Sequence, residues 1–106
     1  MYVRLTQGMA INFGEPSLIR LNYLKVGVHV RVQNADEAAA IEHYMPALQD
    51  ALVTVFSAQD EDSISSPHGK EDIRQLALSQ LQDVIEQEEG TPLIQDLFFT
   101  TFVIQR

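Results

Sequence analysis

The sequence predicts an α+β domain of two layers, a largely antiparallel sheet in β-β-α-α-β order covered by amphipathic helices. Three observations lead there. Leu24, Val26, Val28, Val30 and Val32 alternate with Lys25, Gly27, His29, Arg31 and Gln33, the pattern of a strand with one apolar and one wet face. Two stretches, one after Asn34 and one after Ser66, repeat apolar residues at helical spacing. The final stretch, Leu93–Gln105, is rich in the aromatic and β-branched residues that suit a pleated surface.

Taken in order, Tyr2–Gln7 carries only a weak strand pattern, whereas Met9–Phe13 alternates Met9, Ile11 and Phe13 with Ala10 and Asn12. Gly14-Glu15-Pro16-Ser17 is turn chemistry. A long strand, Leu18–Gln33, then completes a hairpin. Its apolar residues occupy odd positions at Ile19, Leu21 and Tyr23 and even positions from Leu24 on. That phase change calls for a bulge or bend near Tyr23-Leu24, or for a sheet half covered on each face.

Asn34 with Glu37 three residues later has the form of a capping box. The helix it opens lines up Ile41, Tyr44, Met45, Leu48, Leu52, Val55 and Phe56 on one side. Pro46 interrupts it, since proline removes the bond to the Glu42 carbonyl at a cost of about 3 kcal/mol, so a kink or break is expected there. Ser57–Ser66 reads as a polar loop. Ser66 caps the second helix, with Pro67 at its first position, where the missing N–H costs nothing. Ile73, Leu76, Ala77, Leu81, Val84 and Ile85 form its apolar stripe, and Gly90 followed by Pro92 ends it. Two antiparallel helices return the chain to the sheet, so the last strand should run antiparallel to Leu24–Gln33. There Phe98 and Phe102 share a face and Phe99 points the other way. Phe99 is then either one ring lying on the second face or, with Tyr23, part of a protein contact surface.

The 106 residues fit a single domain with its own core. Fifteen acidic residues against seven basic give a formal charge of −8, which opposes binding to phosphate backbones and to anionic lipid. Nucleic acid is not an expected partner on this ground. The absence of cysteine removes disulfides and thiolate chemistry. No apolar run in these residues approaches the ~20 needed to span a membrane.

Candidate chemistry is sparse. His29, His43 and His68 show no i, i+4 pairing of the kind that holds metal on a helix. Asp60-Glu61-Asp62 lacks the alternating ligands and glycine of a calcium loop. Ser65-Ser66-Pro67 has no matching histidine and carboxylate, and a helix cap accounts for it. No nucleophile elbow, P-loop or dinucleotide fingerprint occurs. No cofactor or metal is expected, and the residues point to a binding module rather than an enzyme.

Three segments, in order, resemble the periplasmic domain of the flagellar basal-body-associated FliL family. The first is YLKVGVHVRVQNADEAAAIEHYMPALQDAL, a strand leading into an acidic-alanine helix start and a proline. The second is SSPHGKEDIRQLAL, in which Pro67, Gly69 and Lys70 precede an isoleucine and then an arginine. The third is DLFFTTFVIQ, with the Phe99-x-x-Phe102 pair and a closing Gln105. MAINFGEP matches the family's first strand and turn more loosely, and Thr101 stands where the family often has an acidic residue.

The resemblance implies a stomatin-like scaffold fold and a non-enzymatic protein on the periplasmic face of the bacterial inner membrane. It implies a single-pass anchor, a membrane helix that these residues do not contain, together with flagellar stator and basal-body partners and homo-oligomeric rings. Pro67, Gly69, Lys70, Phe99, Phe102 and Gln105 are its motif positions, expected to be mainly structural. Tyr23, Lys25, His29 and Arg31, on the wet side of the valine strand, are the candidate interface residues, expected to meet acidic helix surface such as Asp60–Asp62 or Glu86–Glu89 of a neighbouring copy. The competing reading is an adaptor or ligand-binding module of the same fold without a flagellar role.

Overall fold

The computed structural model describes residues 1–12 and 23–105. Strands β1 (Tyr2–Asn12) and β2 (Tyr23–Arg31) pair antiparallel. Helices α1 (Ala35–His43), α2 (Met45–Ser57), α3 (Glu61–Ser65) and α4 (Pro67–Glu89) follow, and β3 (Asp96–Gln105) returns antiparallel to β2, giving the sheet order β1-β2-β3. The architecture is the expected α+β sheet-and-helix arrangement. The turn at Gly14–Ser17 and the strand expected over 18–22 lie outside the described residues, while at Tyr23-Leu24, where a bulge or bend is expected, the register with both neighbouring strands is unbroken.

The core lies between one face of the sheet and the helices. Leu24, Val26, Val28 and Val30 are fully buried on that face, and Ile41, Leu48, Leu52, Phe56, Ala77, Leu81 and Ile85 meet them from above. Helix α2 lies over β1 and α4 over β3. Leu76 departs from the expected stripe: it is 42% exposed on α4.

Among the described residues the helical layer has four members rather than two. Tyr44, with φ −95° and ψ 15°, separates α1 from α2 two residues before Pro46. Its N–H donates to the Ala40 carbonyl and its own carbonyl accepts from Leu48 N–H, so the chain bends there without leaving either group unpaired. Within the expected Ser57–Ser66 loop, the Asp60 carboxylate accepts from Ser63 N–H at 2.8 Å and caps the short helix α3, which buries Ile64. The capping expectations hold at Asn34, whose side chain accepts from Glu37 N–H at 2.9 Å, and at Ser66, which accepts from Gly69 N–H at 2.9 Å. Gly90 ends α4 in the left-handed region at φ 82°.

β1 is one strand of eleven residues rather than a weak piece and a strong one. Its register with β2 skips Leu5 and Gly8, so Val3, Thr6 and Met9 face Val30, Val28 and Val26 in turn. Two one-residue bulges thus stretch the inward repeat from two residues to three. Leu5, within the first bulge, is buried, and the Thr6 hydroxyl donates to the Val26 carbonyl at 2.9 Å.

A third bulge corrects the expected arrangement of the phenylalanines. Gly27 pairs with Thr101 and Val28 with Phe99, leaving Thr100 as the extra residue. Phe99 and Phe102 therefore share the helix-covered face, with ring centroids 5.0 Å apart and Phe56 a further 5.9 Å from Phe99. Phe98 takes the opposite face and stacks edge-on against Tyr2 at 5.9 Å.

Arg74 fastens α4 to the start of β3. Its guanidinium donates to both Glu71 carboxylate oxygens (2.8 and 2.6 Å), to Asp96 Oδ1 (2.8 Å) and to the Leu97 carbonyl (3.0 Å). The hydrogen bonds from Arg74 draw the Glu71 carboxyl down from 4.5 to about 2. Asp96 is also lowered, chiefly by the Leu97 N–H it accepts. Because these carboxyls are more acidic folded than unfolded, their contribution is complete above the unfolded value and drains away as pH falls. The melting temperature should therefore decline between about pH 5 and pH 2. Arg74→Gln should lower it at pH 7 and flatten that acid decline, as circular-dichroism melts across pH would report. Superimposable pH profiles for the two proteins would contradict the assignment.

Candidate interaction surfaces

Two surfaces stand out. The first is the sheet face that no helix among the described residues covers. Alternation along β2 places Tyr23, Lys25, His29 and Arg31 there together, as their spacing predicts. Register then adds residues from both neighbours: Arg4 and Phe98 flank His29, Tyr2 and Asp96 flank Arg31, and Ala10 and Val103 flank Lys25. Tyr2 is 62% exposed and Val103 48% exposed, so the face mixes cations with open apolar surface. Gly27, at its centre, is roofed by the Thr100 and Thr101 side chains. Tyr2, Arg4, Phe98 and Val103 were not legible as members of this face, because the bulges that aim them have no period-two signature.

Charge is segregated across the molecule. Thirteen of the fifteen acidic residues fall in 35–89, the helical segment, all except Glu15 and Asp96, and only Lys70 and Arg74 offset them there. The other cations of the described residues, Arg4, Lys25 and Arg31, belong to the sheet's uncovered face. Arg31 is partly committed already, since it faces Asp96 in register and helps hold that carboxyl ionised.

The second surface is a groove of about 330 Å³ between the α3–α4 corner and the end of β3. Pro67, Lys70 and Phe102 line it, with Ile64, Ser65, Ser66 and Ile104. The Lys70 ammonium sits 5.0 Å above the Phe102 ring, a cation–π contact. Gly69 lies behind the groove, and a Cβ there would stand 1.9 Å from the Ser63 carbonyl oxygen, so the α3–α4 corner closes only around a glycine. Phe99 supports Phe102 from the core side. Gln105 pairs with Tyr23 at the end of β3. Pro67, Gly69, Lys70, Phe99 and Phe102 thus converge on one corner, an outcome hidden by the roughly thirty residues between the two groups in sequence.

Among the described residues, no group of three or more His, Asp or Glu side chains gathers to hold a metal ion, and no helix is long and apolar enough to cross a membrane. His29 lies on the uncovered face, while exposed His68 approaches Asp72 at 3.5 Å on α4.

The family model described as flagellar basal body-associated protein FliL matches residues 2–105. This chain belongs to the FliL family. Flagellar protein FliL of Aquifex aeolicus (strain VF5) is 22% identical to it over 102 residues, covering 96% of this chain and 60% of that protein. The FliL-family chain described here therefore spans about three fifths of that relative's length. Both surfaces fall within the matched residues.

Proposed function

We propose that this FliL-family chain is a non-enzymatic component of the flagellar basal body that lies on the periplasmic face of the inner membrane, associates with motor stator units and supports motility or swarming. Its role is to dock, and copies of the domain meet side by side with the uncovered sheet face of one against the acidic helical layer of the next. The observation that supports this reading most strongly is the segregation of charge within a chain whose matched family is flagellar. A basic, aromatic face and an acidic back are complementary between copies, and such a head-to-tail contact closes into a ring when the rotation per copy permits. Membrane attachment raises the effective concentration that a weak contact of this kind needs.

Deleting the gene from its own bacterium should impair swarming, and the full-length protein should restore it. Lys25→Glu combined with Arg4→Glu should fail to restore it and should abolish assembly on the membrane, while adding Glu88→Lys and Glu89→Lys should recover both. Arg31 is left intact in this design because it faces Asp96. Assembly should also weaken as ionic strength rises, since exposed charges are screened beyond about 8 Å at physiological salt. Normal swarming without the gene would overturn the flagellar reading; full assembly by the charge-reversed protein would overturn the proposed contact alone.

A further inference from the structure

We infer that the outer edge of β3, together with the groove beside it, receives an extended segment of a partner protein that carries a carboxylate. This site borders the uncovered sheet face along β3 but opens toward the helix-covered side, and it does not depend on contacts between copies of the chain.

The two edges of the sheet differ. β1 is broken by bulges at Leu5 and Gly8, and its Leu5 carbonyl is taken by the Gln49 side-chain amide at 2.9 Å. Those features blunt an edge against strand addition. β3 has neither protection beyond Thr100. From Thr101 to Gln105 its register with β2 is regular, and the sequence from Leu97 to Gln105 contains no charged residue and no proline. Among the described residues no strand pairs with its outer side. Unpaired backbone groups on a regular edge are a template for another extended chain.

The groove says what kind of chain fits. A strand added to β3 directs every second side chain toward the helix-covered side, where Ile64, Phe102 and Ile104 offer apolar surface. At about 330 Å³ the groove is at the bottom of the range for enclosing a small molecule, and it suits side chains delivered from a strand. Among the described residues, Lys70 is the groove's one ionisable lining residue. It makes no ion pair among the described residues, although the chain carries fifteen acids, and instead rests over Phe102. The positive end of α4 opens at the same place, so a carboxylate is the charge that both favour. The partner segment accordingly alternates apolar residues and places an Asp or Glu beside Lys70.

The test is selection of displayed random nonapeptides on the 106-residue chain, followed by backbone-amide NMR with the enriched peptides. Enriched sequences should alternate apolar residues around an acid and shift the amides of 101–105 and Lys70. Methylating one alternate set of peptide amides should abolish binding and methylating the other set should not, as strand pairing requires. Lys70→Glu should weaken binding at least tenfold, and selection on that variant should enrich Lys or Arg in place of the acid. Lys70→Ala, with a circular-dichroism melt of each variant, separates loss of the cation from loss of fold. Three outcomes would overturn the proposal: peptides that map to β1 or to the uncovered face, affinities indifferent to Lys70, or concentration-dependent self-association through β3 that excludes peptides and so assigns the edge to a second copy.

Discussion

Phe56→Ala should cost about 4 kcal/mol. The ring is fully buried at the C-terminal end of α2 and touches Phe99, which in turn supports Phe102. Truncation removes the transfer energy of the ring and leaves a cavity beneath β3 that the sheet, held by its backbone ladder, closes only in part. Against a total stability of about 5–15 kcal/mol for a domain of this size, that is a large fraction. Urea denaturation should show the midpoint falling with the slope unchanged. A midpoint within experimental error of the wild type would mean that the aromatic cluster is not the keystone described here.

Gly69→Ala comes second, at about 3 kcal/mol and a fall in melting temperature of roughly 12–24 °C. Two effects compete. Alanine in a helix is better than glycine by about 1 kcal/mol. Opposing it, the new Cβ would lie 1.9 Å from the Ser63 carbonyl oxygen and 2.8 Å from its carbon, and backbone at that distance has to move as a unit. Overlap of that depth outweighs the propensity gain. Gly27→Ala provides the contrast, because its nearest obstacle is the Thr100 hydroxyl at 2.5 Å, a side-chain atom that can rotate aside. A thermal melt of both variants should rank Gly69→Ala as much the more damaging, and the reverse order would sink the argument from close approach.

The sequence made β2 and the two long helical stripes plain because each obeys a single period over many residues. Asn34, Ser66 and Gly90 were legible as helix ends because the chemistry of a cap is local. What escaped was whatever depended on a break in period. The bulges in β1 spread its inward residues three apart, so a strand of eleven residues looked weak at its start. Thr100 inverted the expected sides of Phe98 and Phe99 in the same way. Helix α3 escaped because four polar residues hid one buried isoleucine, with the capping aspartate just ahead of them. Of the two surfaces, the β2 half of the uncovered face was readable from alternation. The groove was not, since it is assembled from residues near 67 and near 103 that only the folded chain brings together.

The extra residue in the last strand has an evolutionary consequence. Phe99 and Phe102 turn to the same side only because one position between them is looped out over Gly27. The glycine and the spacing of the two rings should therefore be inherited together, although about seventy residues of chain separate them. Relatives with a bulky residue in place of the glycine should have lost the three-residue interval between the aromatics, and those that retain the interval should retain a small residue opposite.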